Sequence, residues 1–222
     1  MGVKSIENTD RLYWLGRYSE RVYTTLKLFG QSYDTMVETG AGDYDAFCRS
    51  LEIPNIYTSS EDFLRTYPFS TEDPNSIMSN LYRAYDNAIE LREEIGSETL
   101  CYIQLAVYAM KKAALSDAPL LDFQTVTDNI LAFWGIVDDL IEDENTRNII
   151  KVGKRVERID LYGRLHVDRE SMTREVHRLN GRIRRCEIHF REDVLTALNA
   201  LILEEPMNYR EIVTQIERIL EV

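Results

Sequence analysis

The stretch YWLGRYSERVYTTLKLFGQSYDTM, residues 13–36, sets Leu15, Tyr18, Val22, Leu26, Phe29, Tyr33 and Met36 three and four residues apart. That spacing returns an apolar side chain to the same side of an α-helix at every turn, and it predicts a core-facing amphipathic helix. The expected helix runs from Asp10 to Glu38. Asn8, Thr9 and Asp10 are candidate caps, and Gly40 with Gly42 supplies residues that tolerate the left-handed backbone at a helix end.

Working outward, residues 43–73 read as short helices and loops, with Ser59, Ser60 and Asp62 opening one piece and Pro68 closing it. A long helix is expected from Pro74 or Asn75 through Ile77, Leu81, Tyr85, Ile89 and Ile95 to Gly96, and Ser97 is expected to cap the next, which carries Leu100, Ile103, Val107 and Met110. Asp117 and Pro119 announce another through Val126, Ile130, Phe133 and Val137. Further helices are expected over 145–166, 169–188, 190–204 and 208–221, the last two parted by Pro206. No segment alternates as a strand does. The prediction is an all-α protein, a helical bundle of about seven or eight main helices, forming one domain over residues 1–222.

The 222 residues are 44% hydrophobic and 29% charged, enough to bury a real core. No apolar run reaches the roughly 18–20 residues of a membrane span, and MGVKSIENTD has no apolar signal region, so a cytoplasmic protein is expected. Cys48, Cys101 and Cys186 lie far apart without a CxxC pair, which suggests neither a disulfide framework nor a thiolate zinc site; they read as reduced, mostly buried residues. A formal charge of −12 argues against nucleic acid and anionic membrane as partners, since both are held by neutralising phosphates. The charge is uneven: Lys151 to Arg191 holds twelve Lys or Arg against six Asp or Glu, a net +6 that leaves −18 elsewhere. Such a basic segment either packs on the acidic remainder or meets an anionic ligand.

Gly16, Arg17, Glu20, Arg21 and Val22 match Gly153, Lys154, Glu157, Arg158 and Ile159 at a constant offset of 137, giving the pattern G-[RK]-x-x-E-R-[VI] twice. YWLGRYSERVYTTLKL at 13–28 resembles the opening motif of the alpha-E domain family, and VGKRVERIDLYGRLH at 152–166 resembles its later motif. Between them, DPNSIMSNLYRAYDNAIELREEIGSE at 73–98 resembles the family's central segment, with Asn75, Ser76, Asn87, Arg92, Ile95, Ser97 and Glu98 in place. The resemblance is strongest over residues 8–166, with 167–222 supplying C-terminal helices that complete the bundle. Lys154 and Arg155 stand where the family often has Arg-Tyr, and Leu100 where a Trp is common. The resemblance implies a helical cytoplasmic protein encoded near an ATP-grasp ligase and a transglutaminase-like protein, and hence an association with peptide or amide-bond formation. An ATP-grasp ligase or a peptide is then the expected partner; homo-oligomer formation is left open, as is whether the chain is itself an enzyme.

Tyr13, Arg17, Glu20 and Thr24 form a row on the first helix, and Lys154, Glu157 and Leu161 the corresponding row in the second copy. A Glu and an Arg adjacent in sequence point about 100° apart on a helix, so each seeks a partner on another element. One expectation is a structural clasp, Glu20 to Arg158 and Glu157 to Arg21, fixing helix register. The other is an enzyme site in which Arg17, Arg21, Arg92, Lys154 and Arg158 hold a phosphorylated or carboxylated substrate, with Glu20, Glu157 or Glu98 as proton acceptor. Full burial of Glu20 and Glu157 in paired contacts would favour the clasp.

Other constellations carry less. Asp138, Asp139, Glu142 and Asp143 resemble the acidic motif by which prenyl-diphosphate enzymes hold magnesium, but no second acidic motif accompanies them and they fall at a helix end, where a solvated turn is expected. His166, His177 and His189 lack an E-x-x-H partner. With no nucleotide-binding glycine pattern or G-x-S-x-G elbow either, no metal or cofactor is expected. Arg174, Arg178, Arg182 and Arg185 form one basic helix face, either packed on acidic neighbours or docking an acidic protein partner or a phosphate-bearing ligand.

Overall fold

The computed structural model describes residues 6–39 and 44–220. Among these residues the chain is all-helical, with eleven helices and a single β-bridge between Phe190 and Leu220. The first seven are α1 (Ile6–Thr39), α2 (Tyr44–Leu51), α3 (Ser60–Thr66), α4 (Ile77–Glu90), α5 (Arg92–Ile95), α6 (Ser97–Ala113) and α7 (Pro119–Asp139). They are followed by α8 (Glu144–Arg164), α9 (Arg169–Ile183), α10 (Glu192–Leu201) and α11 (Tyr209–Ile216). Eleven helices exceed the seven or eight expected because short pieces such as α2, α3 and α5 stand as helices of their own. The chain divides into two compact units, one of Tyr18–Ile141 and one of the segment up to Arg17 with Glu142 onward.

In the Tyr18–Ile141 unit, Val22, Leu26, Phe29 and Met36 of the expected α1 stripe are buried, and Tyr18 and Tyr33 are half-buried. Phe29 is the hub of an aromatic cluster with Phe47, Phe63, Tyr67 and Phe123, whose ring centroids lie 5.8–6.3 Å from its own. Ser59 caps α3 by accepting the Asp62 N–H, as the sequence predicts. Pro74 and Asn75 stay outside α4. Asp73 turns the chain there by accepting the Asn75 N–H at 2.8 Å, and Ser76 is the cap, accepting from the Ser79 N–H. The expected single helix to Gly96 breaks at Leu91, where α5 begins. Gly96, with φ of 81°, ends α5 and starts α6, so Ser97 is the first helical residue rather than the cap. A left-handed φ is cheap only for glycine, which lets one residue serve both ends.

In the other unit, α8 is the central element, and α9 and α11 pack on it while α10 packs on α9 and α11. Asp143 caps α8 by accepting from the Thr146 N–H and hydroxyl, which is the use made of one member of the acidic DDLIED cluster; Asp138, Asp139 and Glu142 are exposed. α8 buries polar groups as well as apolar ones: Asn148, Lys151, Glu157 and Asp160 lie among Ile149, Val152, Val156 and Ile159. A helix covered on most of its sides must satisfy those polar groups internally.

Several expected boundaries move. Asn8, Thr9 and Asp10 lie within α1, which begins at Ile6, and the expected stop at Gly40 and Gly42 lies outside the described residues. α9 ends at Ile183 rather than 188. Of the cysteines, Cys48 is buried, Cys186 is half-buried and Cys101 is exposed, so the expectation of mostly buried thiols fails at Cys101.

Candidate functional site

The first motif helix and α8 meet at their glycines. A Cβ added to Gly16 would overlap the Ile150 carbonyl oxygen, with the Ile150 carbonyl carbon at 2.9 Å and the Lys154 nitrogen at 3.0 Å. A Cβ added to Gly153 would overlap the Tyr13 carbonyl oxygen, with its carbon at 3.0 Å and the Arg17 nitrogen at 3.2 Å. Each glycine therefore faces the backbone of the opposite helix at the positions three residues before and one residue after the other glycine. Backbone meets backbone only where no side chain intervenes, which is why glycine occupies both positions.

Beside this contact, the Arg17 Nε donates to Glu157 Oε2 at 2.6 Å, and an Arg17 terminal nitrogen lies 3.9 Å from Asp160 Oδ2. Glu157 and Asp160 are each 1% exposed and Arg17 8%. The guanidinium is 4.9 Å from the Trp14 ring centroid and 5.9 Å from that of Tyr13, a cation–π arrangement on its remaining faces. Burial alone would lower the Arg17 pKa, but Glu157 beside it holds the guanidinium above its ordinary value. The buried Tyr13 phenol is pushed up to about 12 by desolvation, against which Arg17 pulls down and Glu157 pushes further up. Asp160 also accepts from Arg164 at 3.1 Å, and Arg164 reaches Glu217 at 2.7 Å, extending the network toward α11.

Tyr13, Arg17 and Glu157 are thus brought together. Glu20 is fully buried and accepts from the Thr24 hydroxyl at 3.2 Å, so Tyr13, Arg17 and Glu20 of the polar row of α1 lie under cover and Thr24 is half-buried. Arg21 and Lys154 are half-buried. In the central segment, Arg92 donates to the Ser97 hydroxyl at 3.0 Å, closing the α5–α6 turn; Asn87 is half-buried on α4 and Glu98 exposed in the first turn of α6. The carboxylate that receives Arg17 is the motif glutamate of the second copy, and Glu175 lies 3.8 Å from Arg158.

A second constellation lies on α8, α9 and the turn that follows α9. Arg155, Arg158, Arg178, Arg182 and Arg185, with the bare backbone of Gly181, line a cavity of about 380 Å³. Glu175, 2% exposed, holds three of them: Arg155 at 2.6 Å, Arg178 at 2.8 Å and Arg158 at 3.8 Å. Burial would raise the Glu175 carboxyl, yet Arg155 and Arg158 keep it below the usual carboxylate range. Arg182 donates to the Asn148 amide oxygen at 2.9 Å. Lys151, 6% exposed, is lowered to about 8 by burial and then by Arg182 and Arg155. A larger cavity of about 850 Å³ in the other unit, against Tyr33, Leu64 and Phe69, has no such convergence of like groups.

The Lys151 shift makes a prediction about stability. Its pKa is about 8 in the folded protein against an ordinary 10.5, so folding disfavours the charged amine. The destabilisation is fully present below pH 8 and is relieved as pH rises from 8 toward 10.5, because the unfolded chain then binds the extra proton. Lys151→Met removes the charge, so the variant's stability advantage over the natural chain, measured by urea unfolding at several pH values, is expected to shrink across that window. An advantage independent of pH would contradict it.

These features define a class: an all-helical protein in which two helices carrying the same short motif meet backbone to backbone at glycine and are joined by a buried glutamate–arginine pair. The chain belongs to the Alpha-E family. The family model, described as a predicted alpha-helical domain with a conserved ER motif, matches residues 8–211, past residue 166 and into α11. No curated protein and no solved structure matches the chain. Among the described residues no helix is long and apolar enough to cross a membrane.

Proposed function

We propose that this protein is an accessory component of a cytoplasmic amide-bond-forming system built around an ATP-grasp ligase and a transglutaminase-like protein, and that its Glu-Arg repeat serves the fold rather than catalysis. One observation carries this reading: Glu20 and Glu157 are 0% and 1% exposed, and Glu157 is engaged by Arg17 at 2.6 Å. A general base must reach the proton it takes. A carboxylate sealed beneath helices and bonded to a guanidinium is suited instead to fixing helix register, the best-attested use of buried polar pairs. The offset of 137 shared by both glycine contacts supports a repeat used twice in one architecture.

The test pairs the purified chain with an ATP-grasp ligase of the kind proposed as its partner. Co-elution of the two by size exclusion is expected, together with amide formation by the ligase that rises when the chain is added. The chain alone is expected to form no amide bond from an acyl phosphate. Turnover by the chain alone, abolished in a Glu157→Gln variant that remains folded by circular dichroism, would overturn the accessory reading.

A further inference from the structure

We propose that the cavity between α8 and α9, lined by Arg155, Arg158, Arg178, Arg182 and Arg185, is a binding site for a small molecule bearing a diphosphate or a comparably charged phosphorylated group.

The chain carries 38 acidic residues against 26 basic ones, so a solvated arginine could readily find a carboxylate. Here five guanidinium groups face one cavity whose lining contains no carboxylate. The acid beneath them, Glu175, is shared by Arg155 and Arg178 and lies 3.8 Å from Arg158, and one negative charge cannot balance both Arg155 and Arg178. It can orient them. A buried carboxylate that fixes guanidinium forks before a ligand arrives lowers the ordering cost of binding. Arg182 takes a neutral acceptor, Asn148, and Arg185 is exposed with no carboxylate within ion-pair distance among the described residues.

Like charges gathered this closely repel one another. Arg182 is held below its ordinary pKa by burial and then by Arg155, Arg185 and Arg147, and Lys151 behind it is lowered as well. A phosphorylated anion in the cavity converts that repulsion into attraction. Guanidinium is the group that meets phosphate oxygens in a bidentate fork, and five of them match the several oxygens of a diphosphate better than the two of one carboxylate. Nucleic acid fits less well, because it requires a basic strip extending along a strand on a protein that is not strongly acidic overall. The cavity volume of about 380 Å³ suits a small molecule, near the lower end of ordinary ligand sites of roughly 300–1,000 Å³. Gly181 contributes room: a Cβ there would meet nothing within 4 Å.

Isothermal titration of the full chain with inorganic pyrophosphate at physiological salt is the experiment. Saturable binding is expected, weaker for orthophosphate and weaker still for sulfate. Arg182→Gln with Arg185→Gln should weaken it by about tenfold or more, as the loss of charge-assisted bonds requires. The same double variant should unfold at an equal or higher temperature, since neither arginine pairs with Glu175. Arg65→Gln, on α3, should bind as the natural chain does. Absence of saturable binding would overturn the proposal. So would equal affinity for sulfate, an equal loss in Arg65→Gln, or tighter binding of a poly-glutamate peptide or an RNA oligonucleotide than of pyrophosphate. None of these outcomes depends on the ligase, so the accessory role and the anion site stand or fall separately.

Discussion

Glu157→Leu, with Arg17 left in place, is expected to destabilise the protein by about 3–5 kcal/mol, the cost of stranding a buried charge without its partner. Arg17 is 8% exposed, with its guanidinium against the Trp14 and Tyr13 rings and bonded to Glu157, so the charge left after the substitution stays largely out of water. Asp160, 3.9 Å away, is already bonded to Arg164 and offers only partial compensation. The loss should appear in urea unfolding as a lower midpoint with an unchanged slope, the sign of altered stability in an intact fold. A loss below about 1 kcal/mol, the range of a solvent-exposed pair, would mean that water reaches the guanidinium.

Gly16→Ala and Gly153→Ala are each expected to cost about 3 kcal/mol, at the upper end for overpacking. At both positions the added methyl meets a carbonyl oxygen of the opposite helix rather than a side chain that could rotate away. Relief requires the helices to part, which also lengthens the Arg17–Glu157 bond. Gly30→Ala, later on α1, is the contrasting substitution, because a Cβ there has nothing within 4 Å. It should stabilise by about 0.5–1 kcal/mol, since alanine is the better helix former. Thermal melts of the three variants would show whether glycine serves packing at 16 and 153: similar effects at all three positions would refute it.

The long helices were legible because their apolar spacing is regular. Val126, Ile130, Phe133 and Val137 on α7 are all fully buried, as their three- and four-residue steps predict. The break between α4 and α5 was not, because the stripe through Ile77, Leu81 and Ile95 continues in phase across Leu91. Ile89, expected on that stripe, is 43% exposed, and the buried positions are the smaller Ala84 and Ala88. Spacing records which side is apolar, whereas the break at Leu91 and the left-handed Gly96 depend on local backbone geometry.

At the site, the motif residues were visible in the sequence and their pairing was not. The repeat identifies Gly16 and Gly153, but a glycine inside a helix reads as a weak point until its neighbour is another backbone. Arg174, Arg178 and Arg182 were legible as residues of one basic helix, whereas Arg185, expected on the same face, lies just past the end of α9; Arg155, Lys151 and Glu175 were missed. A signal for Glu175 existed. Met172, Val176 and Leu179 are buried apolar residues of α9, and Glu175 falls within their arc, where a lone carboxylate must have cationic partners. Arg155 and Arg158 follow Lys151 by four and seven residues on α8, the spacing of one helix side.

The most direct measurement is a double-mutant cycle between the two motif helices, using Arg17→Met, Glu157→Leu and the combined variant, each unfolded in urea. Each single change should cost several kcal/mol, while the combined variant, with the pair replaced by apolar side chains of similar volume, should lose less than either alone. Strictly additive losses would contradict the account, since they would mean that these two side chains do not depend on one another in the folded protein.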